Sequence, residues 1–135
     1  MGWSLHPKLS ELTTEIGDLA LCRVLLENDS NYPWLILVPR MDGVSEITDL
    51  DPNEQVQLLG EIDAAARALK AVATFEKLNV AALGNIVKQL HVHVIGRSAT
   101  DATWPKPVWG LAPPVPYVVA ARNDLVTRLR QELKL

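Results

Sequence analysis

The chain has 135 residues, 48% of them hydrophobic and 21% charged, which is enough apolar material for one buried core and excludes a disordered chain. The net charge is −3, and no basic run is long enough to wrap duplex nucleic acid. No apolar stretch approaches the length of a membrane span, and residues 1–10 lack the basic-then-apolar pattern of a signal peptide, so a cytoplasmic protein is expected.

Pro7 to Leu12 reads as a short helix with His6 at its start, and Gly17-Asp18 as a turn. Leu19 to Glu27 is rich in Leu and Val and predicts a strand. It carries the one cysteine, Cys22, which has no partner for an internal disulfide, as suits a reducing compartment. A polar connection, Asn28 to Asn31, leads to the apolar run Trp34–Val38, a second strand ended by Pro39. Gly43 to Asp49 is a loop.

Asp51, Pro52 and Glu54 make a strong helix start, with a capping side chain, a first-turn proline and a capping-box acid. The helix runs to Ala73, and Val56, Leu59, Ile62, Ala66, Leu69 and Ala73 are expected to face a sheet. Leu78 to Leu83 predicts the next strand, joined by the short link Gly84–Lys88 to an antiparallel partner, Gln89–Ile95, which Gly96 breaks off. Prolines and tryptophans between Ala99 and Pro116 exclude a central strand or a helix there. Val115 to Ala121 reads as extended, and Asn123-Asp124 as the start of a last helix with Leu125, Leu129 and Leu133 on one face. The sum is a single α+β domain over 1–135, a mostly antiparallel sheet with one long helix and shorter terminal helices.

Gln89-Leu90-His91-Val92-His93-Val94-Ile95 alternates with period two. Leu90, Val92 and Val94 then share one face, and Gln89, His91, His93 and Ile95 the other. The two imidazoles stand side by side, roughly 6–7 Å apart by strand rise. Alternate histidines on a strand can hold zinc, but no third or fourth ligand is near in sequence, so no metal is expected.

The segment Gly84–Ile95 resembles the signature of the histidine triad (HIT) superfamily, His-φ-His-φ-His-φ-φ preceded by Gly-Gln/Asn-x-Val-x, with φ apolar. Arg97 after the motif, Asn79 in the preceding strand, Asn28 after the Leu21–Leu26 run, the strand Leu35–Arg40 and the helix Asp51–Ala73 follow the same template. The resemblance covers roughly residues 20 to 97, with 98–135 as a C-terminal loop, extended segment and helix. Two positions depart from it: the first triad histidine is Gln89, and the usual Gly-His pair before the second strand is Pro33-Trp34.

The resemblance implies a five-stranded sheet, a homodimer and a purine nucleotide substrate. It implies cleavage at the α-phosphate of a dinucleoside polyphosphate or nucleoside phosphoramidate, without a cofactor or metal. His91 stands at the nucleophile's position, to form a nucleotidyl–histidine intermediate. His93, protonated, would steady the growing charge, and Gln89 would complete the catalytic row. Asn28, Asn79, Asn85, Trp34 and Arg97 are the expected substrate contacts. Of Trp104 and Trp109, either one stacks on the base or leaving group, or both plug the loop against the sheet or the partner subunit. The alternative is a nucleotide-binding module with little or no turnover.

Overall fold

Asp51 caps the long helix as the sequence requires: its carboxylate accepts from Glu54 N at 2.8 Å, and Glu54 accepts from Asp51 N at 2.8 Å. The computed structural model describes residues 2–135. In chain order it has α1 (Pro7–Glu11), β1 (Thr13–Asp18), β2 (Cys22–Glu27), β3 (Trp34–Pro39), a 3-10 turn (Ile47–Asp49), α2 (Pro52–Val72), β4 (Lys77–Ala81), β5 (Val92–Arg97) and α3 (Val119–Leu133). The strands form one antiparallel sheet in the order β1-β2-β3-β5-β4. This is the five-stranded α+β architecture expected.

Period-two alternation gives the sheet two apolar faces. Cys22, Val24, Leu26, Leu35, Leu37, Val92 and Val94 pack with Leu58, Ala65 and Leu69 of α2 and Leu129 and Leu133 of α3. Leu25, Trp34, Ile36, Val38 and Ile95 point the other way, where Leu9 of α1, Tyr32, Val87 and Val108 cover them. The two histidines of the motif lie on this second, more thinly covered face.

Four local expectations are corrected. Gly17-Asp18 is not a turn but the end of β1, an edge strand with a register shift between Glu15 and Gly17. The buried face of α2 runs through Leu58, Glu61, Ala65 and Leu69, leaving Val56 and Leu59 exposed. A charged residue hid that stripe: Glu61 is buried because its carboxylate accepts Leu21 N at 2.8 Å and Cys22 N at 2.7 Å. Gly96 does not end the ladder. It lies in β5 opposite Leu78, and a Cβ there would stand 2.6 Å from the Phe75 ring and 2.7 Å from Pro33. The last helix begins at Val119, four residues before Asn123, so the predicted extended segment is shorter.

Candidate active site

His91 and His93 stand edge to face with ring centroids 5.0 Å apart, and both are buried. Their ring nitrogens are set by different partners. Nδ1 of His91 lies 2.7 Å from the backbone carbonyl of Gln89. A carbonyl only accepts, so this nitrogen carries a proton, and in the neutral form of the ring the lone pair is left on Nε2. Nδ1 of His93 accepts the indole N–H of Trp34 at 3.0 Å, so its proton sits on Nε2. One imidazole thus offers a lone pair and its neighbour an N–H donor.

Burial, with His91 beside it, pushes the His93 pKa down to about 4. The cationic His93 expected from the sequence is therefore corrected to a neutral donor: the imidazolium would lose water and set a second N–H against the indole N–H of Trp34.

Aromatic rings build the wall behind the pair. Trp34 packs on His93 at 5.6 Å, and Trp109 meets His93 at 5.0 Å and Trp34 at 6.1 Å in near-perpendicular contacts. Trp109 reaches the site from the proline-rich segment, while Trp104 stands apart over Arg97 at 5.9 Å.

In front lies an open cavity of about 540 Å³, within the usual size for a small-molecule site. His91, His93, Trp34, Trp109 and Asn85 line it, and α1 with Leu12 closes one side. A smaller cavity of about 210 Å³, with Ser45, Glu46 and Thr48 in its wall, meets the first at Gly84 and His91. Among the described residues, no group of three or more His, Cys, Asp or Glu is placed to hold a metal ion.

The HIT domain family matches residues 11–100. The chain is a member of the HIT-domain family. A histidine triad protein from Bradyrhizobium japonicum is 49% identical, covering 98% of this chain and 99% of its own, with a TM-score of 0.95. One from Marinobacter aquaeolei VT8 is 42% identical over 99% of this chain and 98% of its own, with a TM-score of 0.94. One from Sinorhizobium meliloti 1021 is 40% identical over 96% of each chain, with a TM-score of 0.93. No curated protein matches the sequence.

The HIT domain gathers His91, His93, Trp34 and Asn85 around the cavity and puts the other expected site residues elsewhere. Gln89 turns from the row to the N-terminal segment: its Oε1 accepts His6 N at 2.8 Å and its Nε2 donates to Ser4 O at 3.0 Å. Both ends of the amide are thereby engaged by main chain, which corrects its catalytic assignment. Asn28 is exposed, and its side-chain oxygen accepts Tyr117 N at 3.0 Å, tying β2's exit to the segment before α3.

Asn79 and Arg97 meet each other instead of the cavity. The Arg97 guanidinium, 1% exposed, donates to Asn79 Oδ1 at 2.9 Å, to both Asp101 oxygens at 2.8 and 3.1 Å, and to Lys106 O at 2.8 Å. It anchors the loop that carries Trp109 and does not line the cavity.

Glu27 escaped the sequence reading. It lines the cavity, and burial with Asp29 nearby pushes its carboxyl pKa up to about 7. Counting by two from Leu25 puts Glu27 on the Trp34 face, but Leu25-Leu26 are both apolar and give no polarity break to start the count. Lys8, Leu9 and Leu12 also line the cavity, and nothing in a local pattern joins them to residues some eighty positions away.

Proposed function

We propose that this HIT-domain protein is a nucleotidyl hydrolase or transferase acting at the α-phosphate of a purine nucleotide, of the dinucleoside polyphosphate or nucleoside phosphoramidate class. The observation that carries the reading is the pair of fixed tautomers: a bare Nε2 on His91 beside an Nε2–H on His93, both at the cavity. The first is what in-line attack on phosphorus needs. The second is a donor for a phosphoryl oxygen.

In the first step the His91 lone pair forms a bond to the α-phosphorus as the bond to the leaving group breaks, and the leaving group departs with that electron pair. His91 becomes a nucleotidyl-imidazolium whose Nδ1–H still meets the Gln89 carbonyl. Water then attacks phosphorus, His91 regains its lone pair, and the water's proton goes to solvent. His93 donates a hydrogen bond throughout and gives up no proton, since loss of Nε2–H would leave an imidazolate. Asn85 supplies an amide N–H at the cavity mouth. No step calls for a metal.

The exposed Val56 and Leu59 of α2 and Val80 on the edge strand β4 support a homodimer that covers them. Cys22 is free and buried, which suits the reducing cytoplasm we propose as its setting.

A second reading, a nucleotide-binding module with little turnover, is favoured by one observation: Gln89 faces the N-terminal segment, so two imidazoles stand where the family has three. Release of AMP or GMP from diadenosine polyphosphates, adenosine phosphoramidate and aminoacyl adenylates, in chelator, decides between the two. The enzyme reading expects product from the wild type and a loss of about 10³-fold or more in His91→Ala. Nucleotide bound with no product from any substrate establishes the binding module instead.

A further inference from the structure

We propose that residues 3–12 form a strap along the cavity that sets ligand affinity, and that Gln89 is the positioning residue that clasps it. The inference rests on the cavity being the nucleotide site. Its starting point is the pair of bonds from one planar amide to His6 N at 2.8 Å and Ser4 O at 3.0 Å. A main-chain N–H and a carbonyl two residues apart are met by the amide oxygen and nitrogen, as a neighbouring strand would meet them. Only an amide presents an acceptor and a donor side by side: a carboxylate cannot donate, and an imidazole's two nitrogens point apart.

The clasp leads into the cavity wall. His6 is the residue before α1, and its Nδ1 accepts Lys8 N at 3.1 Å. Fixing His6 therefore fixes the first turn of a helix of five residues, too short to persist without tertiary support. The strap is held at three other points. Trp3 lies under the Arg23 guanidinium at 5.1 Å, Leu9 is buried in the second core, and Thr13 Oγ1 donates to Leu9 O at 2.6 Å. So placed, α1 turns Lys8 toward the cavity, with Leu12 just beyond the helix beside it.

Lys8 is the one Lys or Arg among the residues that line this cavity, and it is exposed at its edge. The neutral His93 brings no positive charge, and Glu27 brings a negative one when ionised. The cavity's fixed cationic side chain therefore comes from the strap, beside the N–H donors of His93 and Asn85. The residue at the first triad position thus acts on the ligand from a distance, through the main chain it holds and the lysine which that main chain carries.

The test pairs amide hydrogen exchange with kinetics on the full chain, using the substrate that releases AMP fastest. In Gln89→Ala, exchange at the His6 amide is expected to speed up about tenfold or more, with KM raised about fivefold and kcat within about twofold of wild type. Gln89→Glu, which keeps the acceptor for His6 N and sets an oxygen against Ser4 O, falls between the two. Lys8→Ala raises KM similarly, and that difference disappears in about 1 M salt.

Unchanged His6 exchange in Gln89→Ala overturns the clasp. Faster exchange with KM unchanged overturns the role of the strap, and a fall in kcat of about tenfold at constant KM puts Gln89 on the reacting atoms instead. If the wild type binds AMP without turnover, calorimetric Kd replaces KM with the same expectations. A wild type that binds no nucleotide overturns the reading of the cavity itself, and the His6 exchange separates that failure from a failure of the clasp.

Discussion

Trp34 donates its indole N–H to Nδ1 of His93 at 3.0 Å, from a strand position diagonal to the histidine: Trp34 pairs with Ile95, and His93 with Ile36. At the place where the family resemblance leads one to expect Gly-His, a Trp fills the space with an apolar wall and fixes the tautomer of the histidine beside it. The departure at Pro33-Trp34 thus has a direct consequence for the protonation of the site.

His93 is therefore expected to stay neutral across the physiological range. Its ring-proton NMR shifts should be flat from about pH 8 to 5 and move only near its folded pKa of about 4. In Trp34→Phe the Nδ1 lone pair loses its donor and becomes free to take a proton, so the midpoint should rise by about 1 unit. A wild-type midpoint near 6.5 would sink the account.

With His93 neutral and Gln89 unable to titrate, the row holds no acid for the leaving group. Leu26 pairs with Leu35, so Glu27 falls opposite Trp34, two strand spacings or about 10 Å from β5. If the proposed chemistry holds, groups that depart as stable anions should leave fastest. Polyphosphate and acyl anhydrides are expected to release AMP about 10²-fold or more faster than adenosine phosphoramidate, whose nitrogen must be protonated. Comparable kcat/KM for the two classes at pH 7 would contradict this.

Glu27 and His93 pull stability in opposite directions. The Glu27 carboxyl rises from 4.5 to about 7 in the fold, so the folded chain holds the extra proton and stability falls as pH rises through that window. The His93 pKa drops from 6.5 to about 4, so the unfolded chain holds the extra proton and stability falls as pH decreases from 6.5 toward 4. Glu27→Gln keeps the shape without the charge. It should stabilise the protein by about 2 kcal/mol at pH 8 and by nearly nothing at pH 4, read from urea midpoints. Equal gains at both pH values would show that Glu27 titrates normally.

Arg97→Met should cost about 3–5 kcal/mol, because it strands a buried carboxylate. Burial alone would raise the Asp101 pKa, but hydrogen bonds from Arg97 and from Ser98, Thr103 and Trp104 N–H hold it down at about 2. Adding Asp101→Asn to Arg97→Met should recover part of the loss in a double-mutant cycle. Additive losses would show that the pair is not coupled. Because Arg97 lies outside the cavity, folded Arg97→Met should still bind nucleotide, with a weaker Trp109 wall.

Much of the architecture could be read locally. The capping box at Asp51-Pro52-Asn53-Glu54 and the antiparallel pairing of the last two strands came from patterns a few residues long, although the strand expected over Gln89–Ile95 runs instead from Val92 to Arg97. The errors arose where a polar residue is buried for a distant reason. Glu61 turns inward to meet two N–H groups at the start of β2, so the stripe of α2 was mistraced at Val56 and Leu59, while Ile62, Ala66 and Leu69 do pack on the core. Gly96 reads as a breaker in sequence and is instead the space that the Phe75 and Pro33 rings occupy.

By itself the sequence determined the class of fold, the family through the order of its motifs, and the placing of His91 and His93 side by side, His93 in β5 and His91 just before it, since period two needs no knowledge of the rest of the chain. Only the tertiary structure decided what each polar group of that row does. Gln89 meets Ser4 and His6, His93 meets Trp34, and Arg97 meets Asp101 and Asn79. A hydrogen bond depends on which donor and acceptor the fold brings within about 3 Å, and most of these partners lie far apart along the chain.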